Sequence, residues 1–335
     1  MSRLYLKTKW AKELLMRQEH LTTGTTFYVD ANTGNDSGSG LYPFDAKLTI
    51  QSAVDAVTSD RGDVVIVGAG RYYENVRITK SKMRLMGAQI GGKQSVSIRA
   101  AGAGTAAAEH AEAPTLYGYS SLAGEDIRGA CVTVNAASVE ICGLEFDASD
   151  YQYTTGSYYH YTGLYIGDGT RISASYNYDC NGSYIHDCIF KRGYYGINYD
   201  GSSEDHRCLN NLFYRNGGAT TRGCIFVDPG SSRHNSRMLF KDNVFMAMAD
   251  LGYGIYLYPH DETHDIIIAH NIFHERDGKT VAYAIRTTGA GEHLIAGNWF
   301  GCANKVFTVA TDWTSGNYIG TAGKAGAVTA FVTED

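Results

Sequence analysis

Proline is scarce in this sequence, with 4 among 335 residues, and no proline-rich linker divides the chain. Separate domains on rigid hinges are therefore not expected. No apolar run approaches the roughly 20 residues that a membrane-spanning helix requires. Charge of one sign is not concentrated either. The net charge is −6, with 29 basic and 35 acidic residues, and the absence of a basic stripe argues against nucleic acid as a partner. The seven cysteines, Cys131, Cys142, Cys180, Cys188, Cys208, Cys224 and Cys302, are odd in number and form no C-x-x-C pair. Neither a zinc site nor a disulfide framework is expected from that spacing. Several sit in apolar strand patterns, where cysteine packs as a small hydrophobe. Arg3, Lys7 and Lys9 open the chain, but no apolar core or small-residue cleavage site follows them, so export through a cleaved leader is not expected.

Glycine and tyrosine are abundant, at 39 and 25 residues. So much glycine implies many tight turns. Tyrosine pairs a flat apolar face with a polar tip. It suits sugar contacts and protein interfaces, and equally the outer faces of strands.

Residues 1–25 stand apart. Leu4, Leu6, Trp10, Leu14 and Leu15 lie among basic residues at a spacing that fits a short amphipathic α-helix. Such a segment either caps the end of the body or acts as an arm, with Leu4, Trp10 and Leu14 as assembly contacts. Residues 26–90 read as strand, polar loop, helix and further strands. Phe27–Asp30 forms the first strand. Thr49–Val57 forms a helix with Ile50, Ala53, Val54 and Val57 on one face. Strands follow at Asp63–Gly68, Tyr73–Ile78 and Met83–Gly87.

The run FYVDANTGND, the helix TIQSAVDAV, the segment GDVVIVGAGRYYENVRI and the LMGA that closes it resemble the opening of pectin-lyase-like proteins. The resemblance covers residues 26–90. It implies an all-β right-handed parallel β-helix, a fold shared by polysaccharide lyases, surface proteins and bacteriophage tail proteins. It is specific for fold and not for activity.

Residues 91–320 carry the coils, with an alanine- and glycine-rich insertion at 100–125. One strand family ends in Phe146, Phe190, Phe213, Phe245, Phe273 and Phe300, with gaps of 44, 23, 32, 28 and 27 residues. A second begins at Gly163, Gly196, Gly223, Gly254 and Ala284, with gaps of 33, 27, 31 and 30. Two strand families alternating at one period make successive coils of a solenoid, each strand parallel to its copy one coil later. A β-propeller would need four strands per blade and often a W-D signature. Residues 321–335 read as a last coil or a tail.

Three groups of residues invite a chemical reading. Asn211, Asn243, Asn271 and Asn298 each stand two positions before a phenylalanine, as a structural ladder at a bend would. Asp168, Asp200 and Asp228 each close a strand before a turn. Stacked in a column, they would be candidate catalytic carboxylates for glycoside cleavage or ligands for Ca²⁺, and otherwise ordinary turn residues. Glu204 and Asp205 stand next to them as candidates, and Tyr165, Tyr199, Tyr256 and Tyr258 are candidate glycan contacts. No resident cofactor or metal is expected beyond that Ca²⁺ option. His260-Asp261-Glu262-Thr263-His264 lacks the helix and the glutamate position of a zinc protease. His270 and His274 would be roughly 13 Å apart on a strand, too far to share a metal. Lyases of this fold use a basic residue to abstract a proton. Arg192, Arg222 and Arg286 lie on the groove side, yet no lyase signature accompanies them.

Two function classes follow. The first is a bacteriophage virion component: a tail-fibre, tailspike-like or head-decoration protein. It would be a homotrimer, joined to other virion proteins through the arm and touching host polysaccharide with its body. The second is a polysaccharide hydrolase or lyase. A non-viral adhesive surface protein is a third option, disfavoured by the missing leader.

Overall fold

The computed structural model describes residues 24–90, 93–94, 96–99, 130–147, 162–167, 180–191, 193, 195–201, 203–214, 216, 223–228, 235–248, 252–258, 263–275, 282–287, 292–302, 306–307 and 313–319. The expected arm with Leu4, Trp10 and Leu14, the insertion at 100–125 and the tail at 321–335 lie outside the described residues. So do residues 260–262, the first three of the His260–His264 motif.

Most of the described strands stack into three long sheets in which every neighbouring pair is parallel. A ten-stranded sheet runs from Thr26–Val29 to Trp313–Ser315, and a nine-stranded sheet from Gly70–Tyr73 to Tyr318–Ile319. An eight-stranded sheet runs from Val76–Ile78 to Val306–Phe307. Within each sheet, order in space follows order in the chain, so each strand bonds to its copy one coil on. A coil presents only a thin apolar strip; stacking coils merges the strips into one core. In the ten-stranded sheet the inward row is Leu85, Ile141, Ile185, Cys208, Phe240, Ile268 and Ile295, all fully buried. The chain is thus a parallel β-helix.

Sharp corners join the sheets. Between the ten- and nine-stranded sheets each turn holds one residue in the left-handed region: Asp187, Asn210, Asp242, His270 or Gly297. From the second of these turns onward the next residue is asparagine. Asn243 Oδ1 accepts from Asn211 N at 3.0 Å and Asn211 Nδ2 at 3.1 Å, while Asn243 Nδ2 donates to Cys208 O at 2.9 Å. The pattern repeats through Asn271, Asn298 and Asn317. Each side chain thereby satisfies backbone groups that the bend removes from the sheet ladder. Beyond the corner, the six phenylalanines stack face to face from Phe146 to Phe300, at centroid spacings between 4.6 and 5.3 Å. The stack leaves no room opposite it. A Cβ on Gly196 would lie 2.6 Å from Phe213, and one on Gly254 would lie 2.7 Å from Phe273.

The first coil carries a helix, Ile50–Ala56, with Thr49 as its N-cap. Its buried Ile50, Ala53 and Val54 pack on the strands Thr26–Val29, Val64–Val67 and Val76–Ile78. The strand expected over 73–78 is instead two, Gly70–Tyr73 and Val76–Ile78, broken at a corner. Glu74 at that corner turns its carboxylate to the helix and accepts from Ile50 N and Gln51 N at 2.9 and 3.0 Å. Demand for a partner at the exposed N–H groups of the helix outweighs the extended pattern there.

Candidate functional site

The eight-stranded sheet carries most of the residues singled out above. Inward-facing Leu164, Ile166, Ile197, Ile225, Val227, Ile255 and Leu257 fill the core. Alternation sends Tyr165, Asn198, Phe226, Tyr256 and Arg286 outward in one register row. A second row holds Gly167, Asp200 and Asp228. Asp200 and Asp228 stand opposite one another on adjacent strands. The residue facing Asp200 from the preceding coil is Gly167, not Asp168, which lies outside the described residues. The cause is spacing: Gly163 faces Gly196, but Asp168 stands five residues past its glycine and Asp200 four past its own, whereas Asp228 meets Asp200 because Gly196 faces Cys224 rather than Gly223.

Tyr165 leans along its strand across Gly167, where a Cβ would meet the ring at 2.7 to 2.9 Å. That glycine lets the phenol donate to Asp200 Oδ2 at 2.8 Å, and both groups are buried. Tyr256 belongs to a second apolar cluster outside the solenoid core, with Tyr195, Phe226 and Tyr253. Arg286 binds this cluster. Its guanidinium lies 4.9 Å from the Tyr256 ring and 5.3 Å from the Tyr253 ring, and Nη1 donates to Tyr253 Oη at 2.5 Å. Asn198 Oδ1, in the same row, is buried without a hydrogen-bond partner. Tyr258 lies just past the strand end with 38% of its surface exposed. Its amide donates to Val227 O, next to Asp228, and its ring meets Tyr256 and Phe226 edge-on.

Tyr199 needs correction as a glycan contact. It is fully buried inside the solenoid, 5.0 Å from the His206 ring and 5.8 Å from Phe240. Burial raises its phenol pKa well above the ordinary value. Parity decides this: Asp200 faces out, so its neighbour Tyr199 faces in. Tyr165 and Tyr256 are outward but covered, which leaves Tyr258 as the ring open to solvent. Glu204 and Asp205 lie apart from Asp200 and are both engaged by Arg237, whose Nε donates to Asp205 Oδ1 at 2.9 Å. Those hydrogen bonds, against a smaller effect of burial, push the arginine pKa up. Arg192 and Arg222 lie outside the described residues.

A polar cluster that the sequence reading missed sits on the outer face of the ten-stranded sheet. Glu140 and Cys142 are two apart on one strand, and His186 is the register partner of Cys142 on the next. His186 Nε2 is 3.0 Å from Glu140 Oε1, and His186 Nδ1 is 2.6 Å from Asp187 Oδ2. Arg84 Nη2 reaches Glu140 Oε2 at 2.7 Å. Burial works to lower the His186 pKa, but hydrogen bonds to Cys142, Glu140 and Asp187 outweigh it and push the value up to about 10.

No family model matches the chain, and no curated protein sequence does. Solved structures do match. The pectin methylesterase of Aspergillus niger aligns with a TM-score of 0.55 at 11% identity, over 92% of this chain and 91% of its own. Carrot pectin methylesterase aligns at 0.51 and 16% identity, over 93% and 86%. The GH136 lacto-N-biosidase of Eubacterium ramulus aligns at 0.54 and 12% identity over 88% of this chain, which spans 60% of that enzyme. With its long all-parallel sheets, the chain therefore has the pectin-lyase-like right-handed parallel β-helix fold.

Proposed function

We propose that this protein binds glycan chains at the rim of the eight-stranded sheet, where Asp200, Asp228 and Tyr258 follow one another on successive coils. The observation that carries the reading is this adjacency: two carboxylate residues in register and a solvent-open tyrosine one strand further on. Sugars present hydroxyl donors and apolar C–H faces, which a carboxylate and a tyrosine ring respectively accommodate. Support also comes from the structural neighbours, whose names mark them as acting on glycans. In the setting that the opening motif implies, the β-helix is the body of a bacteriophage surface component. It would assemble as a homotrimer and dock to other virion proteins through residues 1–25.

Binding is tested by titrating a panel of bacterial and plant polysaccharides against the full chain. Tyr258→Ala is expected to weaken a positive interaction on the order of tenfold, the worth of one aromatic contact. Unchanged binding in that variant would remove the rim from the reading. The register of Asp200 and Asp228 favours glycoside cleavage as a second reading, because adjacent strands lie about 4.8 Å apart and retaining hydrolases hold their two carboxyl groups about 5–5.5 Å apart. Asp200→Asn and Asp228→Asn would each abolish cleavage of a responsive polysaccharide with the fold intact. Cleavage surviving both changes would exclude the pair.

A further inference from the structure

We infer that Glu140, Cys142 and His186 form a binding site for a zinc-type divalent cation, on a different face from the glycan rim. A carboxylate oxygen, a thiol sulfur and an imidazole nitrogen from these three residues all lie within 4.8 Å of one another. The register makes this a built arrangement. Positions two apart on a strand share a face, and Cys142 and His186 are direct partners across adjacent parallel strands. Tetrahedral zinc with ordinary bond lengths separates its donor atoms by about 3.3–3.7 Å. The 3.0 Å between His186 Nε2 and Glu140 Oε1 needs only a small opening to admit the ion.

The surroundings orient the ligands as a metal site requires. His186 presents Nε2 to the cluster while its Nδ1 faces Asp187, the carboxylate–histidine pairing that fixes the imidazole of metal sites. Asn210 Nδ2 in turn holds Asp187 Oδ1. Arg84 takes Glu140 Oε2 and leaves Oε1 toward the centre. The Tyr184 ring stacks on His186 at 4.2 Å, and the Arg207 guanidinium lies 4.3 Å from the same tyrosine. Glu140 and Cys142 are buried, and His186 is nearly so, with 12% of its side chain exposed. Sulfur and imidazole donors select zinc and its neighbours over calcium or magnesium. The thiolate and the Glu140 carboxylate would together neutralise the dication. Three protein ligands leave the fourth position to water or another small ligand.

The test uses the full-length chain freed of metal with a chelator, with Co²⁺ as the spectroscopic probe. One equivalent is expected to give the visible bands of four-coordinate cobalt and a thiolate-to-cobalt band in the near ultraviolet. Cys142→Ser should remove the thiolate band, and Asp187→Asn, which keeps all three ligands, should weaken binding about 10–100-fold. Absence of stoichiometric binding, or a thiolate band that persists in Cys142→Ser, would overturn the site. Should that variant not fold, localised alkylation of the wild-type chain decides instead. Zn²⁺ slowing modification at Cys142 supports the site, and an unchanged rate overturns it.

Discussion

At the scale of single residues, strand parity governs what each side chain can do. Tyr199 and Asp200 are neighbours, yet one is sealed in the core and the other faces outward beside Tyr165. His206 shows what the inner side costs. It is fully buried, Ser183 N donates to its Nδ1 at 3.2 Å, and its Nε2 has no partner. Burial lowers its pKa from 6.5 to about 3, so the folded chain keeps it neutral while the unfolded chain takes up a proton. The unfolded state binds more protons between those two values, so stability falls as pH drops from about 6.5 towards 3. Equilibrium denaturant melts across that range should show the loss. In His206→Asn, whose amide oxygen can still accept from Ser183, the same series should be flatter. Parallel slopes in the two proteins would exclude His206 as a source of the acid sensitivity.

At the scale of elements, the corner between the ten- and nine-stranded sheets is held by its asparagines more than by any one strand, since these strands are only two to five residues long from Leu212 onward where the ladder runs. Asn243→Ala removes the acceptor of a buried backbone N–H and a buried amide, and strands the carbonyl of Cys208. Leaving buried polar groups unpaired costs about 1–3 kcal/mol each, so a loss of about 3 kcal/mol is expected from chemical denaturation. Loss below about 1 kcal/mol would mean that water replaces the ladder. The repeat made four of these positions legible in advance. Asn317 escaped because its coil carries Ile319 where the others carry phenylalanine, so the marker two residues on was missing.

At the scale of the whole molecule, a solenoid leaves its two ends and its outer faces to be dealt with. The helix Ile50–Ala56 and Glu74 close part of the first coil, and among the described residues one apolar core reaches from Phe27 to Cys302. Leu239, Ile267 and Ala269 form a small separate apolar cluster outside it. Trimeric assembly through the arm predicts that the full chain has three times its monomer mass in native mass spectrometry, and that deleting residues 1–20 yields monomers. A monomer in both forms would separate the glycan-binding body from any trimeric virion role.

The sequence by itself determined the solenoid. Its two alternating strand families, the phenylalanine stack, the asparagine corner and the opening motif are local patterns repeated at one period, and repetition forces parallel stacking. The tertiary structure alone decided which residues meet. Glu140 and Cys142 lie some forty residues from His186, a separation that varies from coil to coil with the insertions, so no spacing in the chain announces their cluster. A one-residue offset, with Gly196 facing Cys224 rather than Gly223, likewise set Asp228 opposite Asp200. Because side chains alternate along a strand, a single step of register chooses between core and surface, and that step is fixed by packing between coils rather than by the order of residues within one.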